Sequence, residues 1–482
     1  MASTAPDIEE YRSLREALET SLLPLATSVD GRRFQFQASL HRLELETGGY
    51  VAIEAGDARH LGQVISLAME REEAGSLDRP GTMLIRLARG EGNVLEGDGR
   101  PFHDAAVRPA TSDEIRGWVE RARPKHAQLD IGELALARGV AFALDGSGFG
   151  RHTFLCGQSG SGKTYSLGVL LERLLMETTL RVVVLDPNSD YVRLGERRSH
   201  ADASAAEHYV DRAGRIAVRS GAHGDSRLAL RFRELSAAHQ AALLRLDPIA
   251  DREEYAELVA IAEAASPATL EELGRGDDAA QGLLHRARNL GLDRFEVWSG
   301  HDDISLLDDL LDDDLRCLVV DLGSLGTRDE QSLVAASVLE HLWRRRAERK
   351  PVAIVIDESH NVCPARPDDP LTALATEDAI RIAGEGRKFG LYLIVVTQRP
   401  QKVHENVVSQ CDNLVLMRMN STADLGHVGE VFSFVPPGLI DRAAIFRQGE
   451  ALVAGKISSH PALIRFGARI TEEGGADVSG WA

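Results

Sequence analysis

Eight consecutive residues have the types and spacing of a phosphate-binding loop. The segment 157–164 reads GQSGSGKT and follows a short apolar run over 153–156, which matches the pattern G-x-x-x-x-G-K-[ST]. Glycines let the backbone N–H groups of such a loop point at phosphate oxygens, and the following helix offers its positive dipole end. We expect Lys163 to contact the β- and γ-phosphates of ATP and Thr164 to hold Mg²⁺. The residues predicted to bind the nucleotide are Gly157, Gln158, Ser159, Gly160, Ser161, Gly162, Lys163 and Thr164.

Two carboxylates at the end of another apolar run supply the chemistry of hydrolysis. Residues 354–358 read IVIDE. We expect Asp357 to hold Mg²⁺, directly or through water, and Glu358 to act as the general base on the attacking water. An apolar strand that ends in Asp-Glu is common on its own. Together with the phosphate loop, it favours a hydrolysing, motor-type ATPase over a kinase or a small GTPase.

Three further polar residues could respond to the γ-phosphate. Gln398 follows the apolar run at 391–396 and suits a sensor role, with an ordinary strand-end residue as the alternative. Arg387, in the segment GEGRKFG, could stabilise charge in the transition state, and so could Arg151, just before the strand of the loop. Arg151 is placed to reach the nucleotide of a neighbouring subunit. The alternative for either arginine is a surface salt bridge or a cation at a helix end.

The elements that must position these residues form a mostly parallel α/β sheet. Near-continuous apolar runs suit parallel strands that are buried on both faces. They occur at 153–156, 181–186, 316–321, 352–357, 391–396 and 413–418. Asp190 lies in the turn after the second run, LDPNSDY, where it could support a metal-bound water or cap a helix. Between about 200 and 310 the apolar spacing becomes helical, which predicts an insertion.

The composition limits the class of protein. The chain has 482 residues and a net charge of −19, which argues against a broadly basic nucleic-acid surface but leaves room for a local basic channel. No apolar stretch approaches the ~20 residues that span a bilayer, and no signal-peptide pattern is visible. We therefore expect a cytoplasmic protein with no membrane partner. The four cysteines form no C-x-x-C pair, which favours buried thiols over a zinc site.

Five segments together resemble the HerA/FtsK superfamily of ring-forming, DNA-pumping ATPases, and HerA in particular. They are RHTFLCGQSGSGKT, LDPNSDY, VIDESHN, GEGRKFGLYLIVVTQRPQKVHENVVSQCDN and FRQGEALVAGKISSHPALIRF. An earlier segment, GGYVAIEAGDARHLGQVISL, is similar to the small β-barrel of that family. Ser359 departs from the pattern, because the family usually has alanine there.

The resemblance implies a homohexameric ring with duplex DNA through its central channel and ATP between subunits. By the same resemblance, turnover depends on Lys163, Thr164, Asp357, Glu358, Gln398 and Arg387, with Arg151 in the in-trans position. It also implies a partner protein, either a NurA-type nuclease in end resection or a sirtuin-like NADase or nuclease effector in anti-phage defence. Arg366, Arg399 and Lys402 are candidate DNA-phosphate contacts, with solvated loop charges as the alternative.

Three functions stay open on these grounds. The first is an ATP-driven DNA translocase or helicase, and the second is an ATPase ring that mainly assembles or activates an effector. The third, a secretion or conjugation ATPase, would usually bring a membrane anchor.

The predicted organisation has a small N-terminal barrel and a RecA-like P-loop NTPase core with a helical insertion. Short alternating runs over 33–108 predict the barrel, and helices are expected over 7–22 and 111–123. The predicted boundaries are 1–30 for a helical extension, 31–110 for the barrel, 111–150 for a linker helix and lead-in, 151–200 with 311–450 for the core, 201–310 for the insertion, and 451–482 for a C-terminal β segment and tail.

Overall fold

The computed structural model describes residues 24–39, 43–74, 83–221, 226–263, 269–276, 278–299 and 305–475. These residues form an N-terminal β-barrel and a large sheet that is flanked by helices. The helix predicted over 7–22 lies outside the described residues. None of the helices in the described ranges has the length and apolar content needed to cross a lipid bilayer.

The N-terminal barrel is closed and antiparallel, with the strand order β1-β2-β5-β4-β3-β6. Phe34 and Phe36 point into its core and are almost completely buried. A Cβ atom on Gly90 would lie 2.1 Å from the Phe36 ring, so the ring needs a glycine beneath it. The predicted small barrel is confirmed. Its strands are β1 (Leu25–Ser28), β2 (Arg33–Ser39), β3 (Tyr50–Ala55), β4 (Ala58–Ala74), β5 (Met83–Glu96) and β6 (Phe102–Pro109).

The large sheet has eleven strands among the described residues, in the order β11-β12-β10-β13-β14-β9-β15-β16-β17-β7-β8. Neighbours from β11 to β15 run parallel, and the remaining pairs are antiparallel. The predicted mostly parallel sheet is confirmed. Its strands are β7 (Gln128–Leu134), β8 (Ala141–Asp145), β9 (His152–Cys156), β10 (Arg181–Asp186), β11 (Arg215–Arg219), β12 (Leu315–Asp321), β13 (Val352–Ile356), β14 (Leu391–Thr397), β15 (Cys411–Met417), β16 (Glu450–Ala454) and β17 (Ala462–Phe466).

Two parts of this sheet differ from the expected organisation. The stretch treated as a lead-in supplies β7 and β8, which extend the far edge of the sheet through β17. The region expected to be a helical insertion contains β11, which pairs in parallel with β12. β7 joins the sheet through β17 and β11 joins it through β12, and because these partners are distant in the sequence, local patterns do not reveal the pairings.

Helices cover both faces of the parallel strands and form the insertion. Cys156, Cys317, Cys363 and Cys411 are buried and free in the resulting core, as predicted. The α-helices of the described residues are α1 (Ser112–Ala122), α2 (Lys163–Glu177), α3 (Ala203–Arg212), α4 (Ala237–Leu243), α5 (Arg252–Glu263), α6 (Asp278–Asn289), α7 (Leu306–Asp309), α8 (Arg328–Arg344), α9 (Pro370–Glu385), α10 (Glu405–Val408), α11 (Thr422–Val431) and α12 (Pro437–Asp441).

The strand order decides where the site lies. β9, β10, β13 and β14 are neighbours in the middle of the sheet and run in the same direction. Parallel α/β sheets bind ligands in the crevice at the carboxyl ends of their strands. The loops that follow these four strands therefore meet at one edge, and each carries residues singled out above.

Candidate active site

The phosphate-binding loop connects β9 to α2. Gly160 and Gly162 have φ angles of 71° and 92°, in the left-handed region that favours glycine. A Cβ atom on Gly157 would lie 2.7 Å from the Cβ of Met417 in β15. Gly162 is also the N-cap residue of α2, whose first-turn N–H groups have no acceptor within the helix. This combination of loop and helix start is the backbone arrangement that binds phosphate.

Lys163 joins the loop to the end of β13. Its Nζ lies 2.6 Å from Glu358 Oε1 and 3.6 Å from Asp357 Oδ1. The three side chains are at most 10% exposed. Burial alone would lower the pKa of the lysine, but the two carboxylates raise it above its ordinary value, so the ammonium stays charged. The phosphate loop and the predicted general base therefore belong to one site.

Three carboxylates form a cluster that could hold a divalent cation. One oxygen each of Asp186, Asp190 and Asp357 lies within 4.8 Å of the others, and Thr164 Oγ1 donates a hydrogen bond to Asp190 Oδ2 at 3.3 Å. Burial raises the pKa of Asp186 to about 7 and that of Asp190 to about 6, and it also raises the pKa of Asp357. Crowded, buried carboxylates and a hydroxyl are the ligands that Mg²⁺ prefers beside a nucleotide phosphate. The residues present therefore fit Mg²⁺.

Asp186 is a member of this cluster that the sequence analysis missed. Its carboxylate accepts the backbone N–H groups of Asp190 and Tyr191, at 3.0 and 2.8 Å. It therefore fixes the turn that presents Asp190 to the site. Its position in the sequence could have indicated this role, because Asp186 is the last residue of an apolar strand. Asp357 and Glu358 occupy a similar position directly after β13.

Gln398 follows β14 beside the phosphate loop. The register pairs Thr397, the last residue of β14, with Cys156, the last residue of β9. The backbone N–H of Gly157 donates to the carbonyl of Thr397 at 3.3 Å. Gln398 is half-buried and comes next in the chain, so it stands level with the first residues of the loop.

The structure does not bring Arg151 and Arg387 to the phosphate loop of their own chain. Arg151 precedes β9 and Arg387 precedes β14, so both lie at the amino ends of these strands. Their Nη1 atoms lie 3.3 and 3.7 Å from the same oxygen of Asp412, near the start of β15. β9 has five residues and β14 has seven, so the two strands span about 17 and about 23 Å. Each arginine is therefore separated by the length of a strand from the edge that carries Lys163.

The chain is similar to the HerA proteins over most of its length. A profile described as the central domain of helicase HerA matches residues 129–294. The DNA double-strand break repair helicase HerA of Sulfurisphaera tokodaii is 25% identical over 412 residues, which cover 79% of this chain and 76% of that protein. HerA of Pyrococcus furiosus is 23% identical over 477 residues, which cover 83% of this chain and 80% of that protein.

Among solved structures, VirB4 of Thermoanaerobacter pseudethanolicus matches 72% of this chain and 98% of its own, at 16% identity and a TM-score of 0.47. The predicted resemblance to the HerA proteins is confirmed by the profile and the two HerA sequences. The chain therefore resembles the HerA helicases in sequence over 79 to 83% of its length.

Proposed function

We propose that this chain is the ATP-driven motor of a DNA translocase or helicase and that it works as a homohexameric ring. One observation carries the proposal. Lys163 and Glu358 meet at one edge of the sheet, 2.6 Å apart, while Arg151 and Arg387 lie at the opposite edge with side chains 38% and 52% exposed. A head-to-tail interface that repeats around a ring would bring one subunit's arginines to the next subunit's nucleotide.

Each residue of the site has a proposed role in ATP hydrolysis. Lys163 and the loop N–H groups would hold the phosphates, and Thr164 and Asp357 would hold Mg²⁺, with Asp190 supporting the site through the hydrogen bond that it accepts from Thr164. When bound, Mg²⁺ neutralises charge on the phosphate oxygens. Glu358 accepts the proton of the attacking water, and Gln398 orients that water against the γ-phosphate.

The contact between Lys163 and Glu358 suggests how nucleotide binding prepares the base. The Lys163 ammonium is paired with the Glu358 carboxylate at 2.6 Å. The phosphates of ATP carry more negative charge and compete for the same ammonium. Binding would therefore draw Lys163 away and leave Glu358 Oε1 available to the water.

Two joined loops offer a surface for DNA. Residues 359–369 and 398–404, which together we call the ledge, are linked by hydrogen bonds from Ala365 N–H to the Lys402 carbonyl, at 2.8 Å, and from His404 N–H to the Cys363 carbonyl, at 2.9 Å. The pairing places three exposed cations on adjoining loops next to the catalytic edge. They are Arg366, Arg399 and Lys402. Cations of this kind would bind duplex phosphates in the channel of the ring.

We also infer that the ATPase works with a partner protein. That partner is a nuclease or a sirtuin-like effector, in DNA end processing or in anti-phage defence. The net charge of −19 favours a second candidate function, in which the ring mainly assembles or activates that effector and DNA pumping is secondary. A surface so acidic disfavours nonspecific DNA binding outside the channel.

The experiment that separates these functions is an ATPase assay with blunt-ended linear duplex DNA and with the purified effector as alternative additions. A translocase hydrolyses ATP faster when duplex DNA is added, and the same preparation sediments as a ring. If the ATPase rate is unchanged by duplex DNA but rises when the effector is added, the translocase function is wrong and the ring acts mainly to assemble or activate the effector.

A further inference from the structure

His360 lies between Glu358, the predicted general base, and Thr397 at the end of β14. Its Nδ1 is 3.2 Å from Glu358 Oε2 and 3.2 Å from Thr397 Oγ1. One ring nitrogen carries either a single hydrogen or a lone pair, so Nδ1 can bond to only one of these neighbours at a time. Glu358 Oε2 is buried and has no hydrogen-bond partner among the described residues. The His360 imidazole therefore hydrogen-bonds to Thr397, and Glu358 Oε2 is left without a hydrogen-bond partner.

Thr397 connects this histidine to the ledge. Its hydroxyl oxygen accepts the backbone N–H of Arg399 at 2.9 Å, and its side chain is fully buried. A hydroxyl has one hydrogen to donate and two acceptor positions, so it can hold Arg399 N–H and bond to His360 together. Arg399 is exposed on the ledge. A continuous path of hydrogen-bonding groups thus leads from the ledge to the neighbour of Glu358.

The backbone of Glu358 is fixed by a hydrogen bond, whereas its carboxylate can change hydrogen-bond partners. Its φ angle is +42°, in the left-handed region, and its N–H donates to Asp357 Oδ1 at 2.8 Å. Oε1 bonds to Lys163 and Oε2 faces His360. A small movement of the imidazole is therefore enough to change what the carboxylate contacts.

We propose that Thr397 and His360 are positioning residues that couple DNA bound at the ledge to the general base. The inference rests on the proposed function. In one arrangement Nδ1–H donates to the Thr397 hydroxyl oxygen and Glu358 Oε2 stays unpaired. In the other, Nδ1–H donates to Oε2 and turns the carboxylate from Lys163 toward the attacking water. DNA that displaces Arg399 moves the hydroxyl and favours the second arrangement.

The test compares ATP turnover with and without blunt-ended linear duplex DNA in Thr397→Val and Thr397→Ser. Thr397→Val removes the hydroxyl and nearly keeps the shape. We expect it to leave the KM for ATP within about twofold and to reduce DNA stimulation roughly five- to tenfold, a common size of coupling. Thr397→Ser keeps the hydroxyl and should keep the stimulation. Thr376→Val is the matched control, because that buried hydroxyl bonds within α9, to the Thr372 carbonyl at 2.7 Å.

A second pair of variants covers the case in which Thr397→Val does not fold. His360→Ala should lose the DNA stimulation, and His360→Asn should recover part of it, since its amide can donate from near the position of Nδ1. Combining His360→Ala with Thr397→Val should cost no more stimulation than either change alone, because both interrupt one path.

The outcomes separate this inference from the proposed function. If ATP turnover of the wild type does not change when duplex DNA is added, the proposed DNA-motor function is wrong, and the proposed coupling is overturned as well. If the wild type responds and either Thr397→Val or His360→Ala responds as strongly, the coupling alone is overturned. Equal losses in Thr397→Val and Thr376→Val would also overturn it, because a general packing defect would then explain the effect.

Discussion

Arg151 and Asp412 form an ion pair at the edge of the sheet opposite the phosphate loop, with Nη1 and Oδ2 3.3 Å apart. Arg387 approaches the same carboxylate oxygen at 3.7 Å. All three side chains are about 40 to 50% exposed, and pairs in such surroundings contribute at most about 1 kcal/mol to stability. Asp412 therefore holds two arginines in place weakly enough for a stronger anion to displace it.

Mixing two inactive variants tests whether Arg151 acts in trans. Arg151→Ala subunits keep an intact phosphate loop, and Lys163→Ala subunits keep an intact arginine. We expect each variant alone to lose most ATP turnover. Mixed rings should recover part of it, because some intact loops then face an intact arginine of the neighbour. The measurement is the ATPase rate against the mixing ratio.

The same mixture excludes the other placement of Arg151. If it acted within its own chain, no subunit of a mixed ring would hold both groups and the mixture would stay inactive. Repeating the titration with Arg387→Ala assigns that arginine by the same criterion. Arg116→Ala is a suitable control, since Arg116 lies on α1, exposed and paired with Asp113 at 2.6 Å.

Glu358→Gln should separate nucleotide binding from hydrolysis. The amide keeps the size of the side chain and can still approach Lys163, but it is too weak a base to accept a proton from water. We expect ATP affinity and ring formation to persist while turnover falls by about 10²-fold or more. Equilibrium binding of a fluorescent ATP analogue, beside phosphate release, measures both. Turnover close to that of the wild type would remove Glu358 from the role of base.

The acidic cluster predicts a pH-dependent effect of Mg²⁺ on stability. Burial raises the pKa of Asp186 to about 7 and that of Asp190 to about 6, from 3.8 in the unfolded chain. Between these values the folded protein binds protons that the unfolded chain has lost. Its stability without metal therefore falls as the pH rises from about 4 to about 7. Mg²⁺ replaces those protons, so it should raise the melting temperature more at about pH 8 than at about pH 5.

Thermal unfolding in MgCl₂, with KCl of equal ionic strength as the control, measures this difference. Asp190→Asn removes one charge from the cluster and should reduce the increment at the higher pH. Equal increments at both pH values, or an increment unchanged in Asp190→Asn, would contradict the placement of the cation at these carboxylates.

Glu172 should matter for stability although it takes no part in the chemistry. It lies on α2 and is fully buried, and it accepts the N–H groups of Ile470 and Thr471, at 3.0 and 2.7 Å. Glu172→Ala strands these donors and should lower the free energy of unfolding by about 3 kcal/mol. Glu177→Ala, at the less buried end of the same helix, should lower it far less. Denaturant unfolding of both variants gives the comparison, and equal losses would contradict the argument.

The sequence predicted the parts of the site that local patterns encode. The loop at 157–164 and the pair Asp357–Glu358 each follow a buried strand of the predicted parallel sheet, and the observed strand order brings these strand ends together. Partners that are distant in the sequence were not predictable. The approach of Asp412 to Arg151 depends on β15 lying beside β9, and the contact of His360 with Thr397 depends on the register of β13 and β14. Pairings of this kind exist only in the folded sheet.

The three cations of the ledge should make DNA affinity depend on salt concentration in a specific way. If Arg366, Arg399 and Lys402 each contact a phosphate, each forms its contact by releasing a condensed counterion. Single changes to alanine should weaken binding to any duplex sequence to a similar degree and reduce the slope of log affinity against log salt by about 1. Arg100→Ala on the barrel, where the side chain is 85% exposed, should leave the slope unchanged. Affinities of blunt-ended duplex DNA measured over a range of KCl concentrations decide the matter, and an unchanged slope in all three ledge variants would place the DNA elsewhere on the ring.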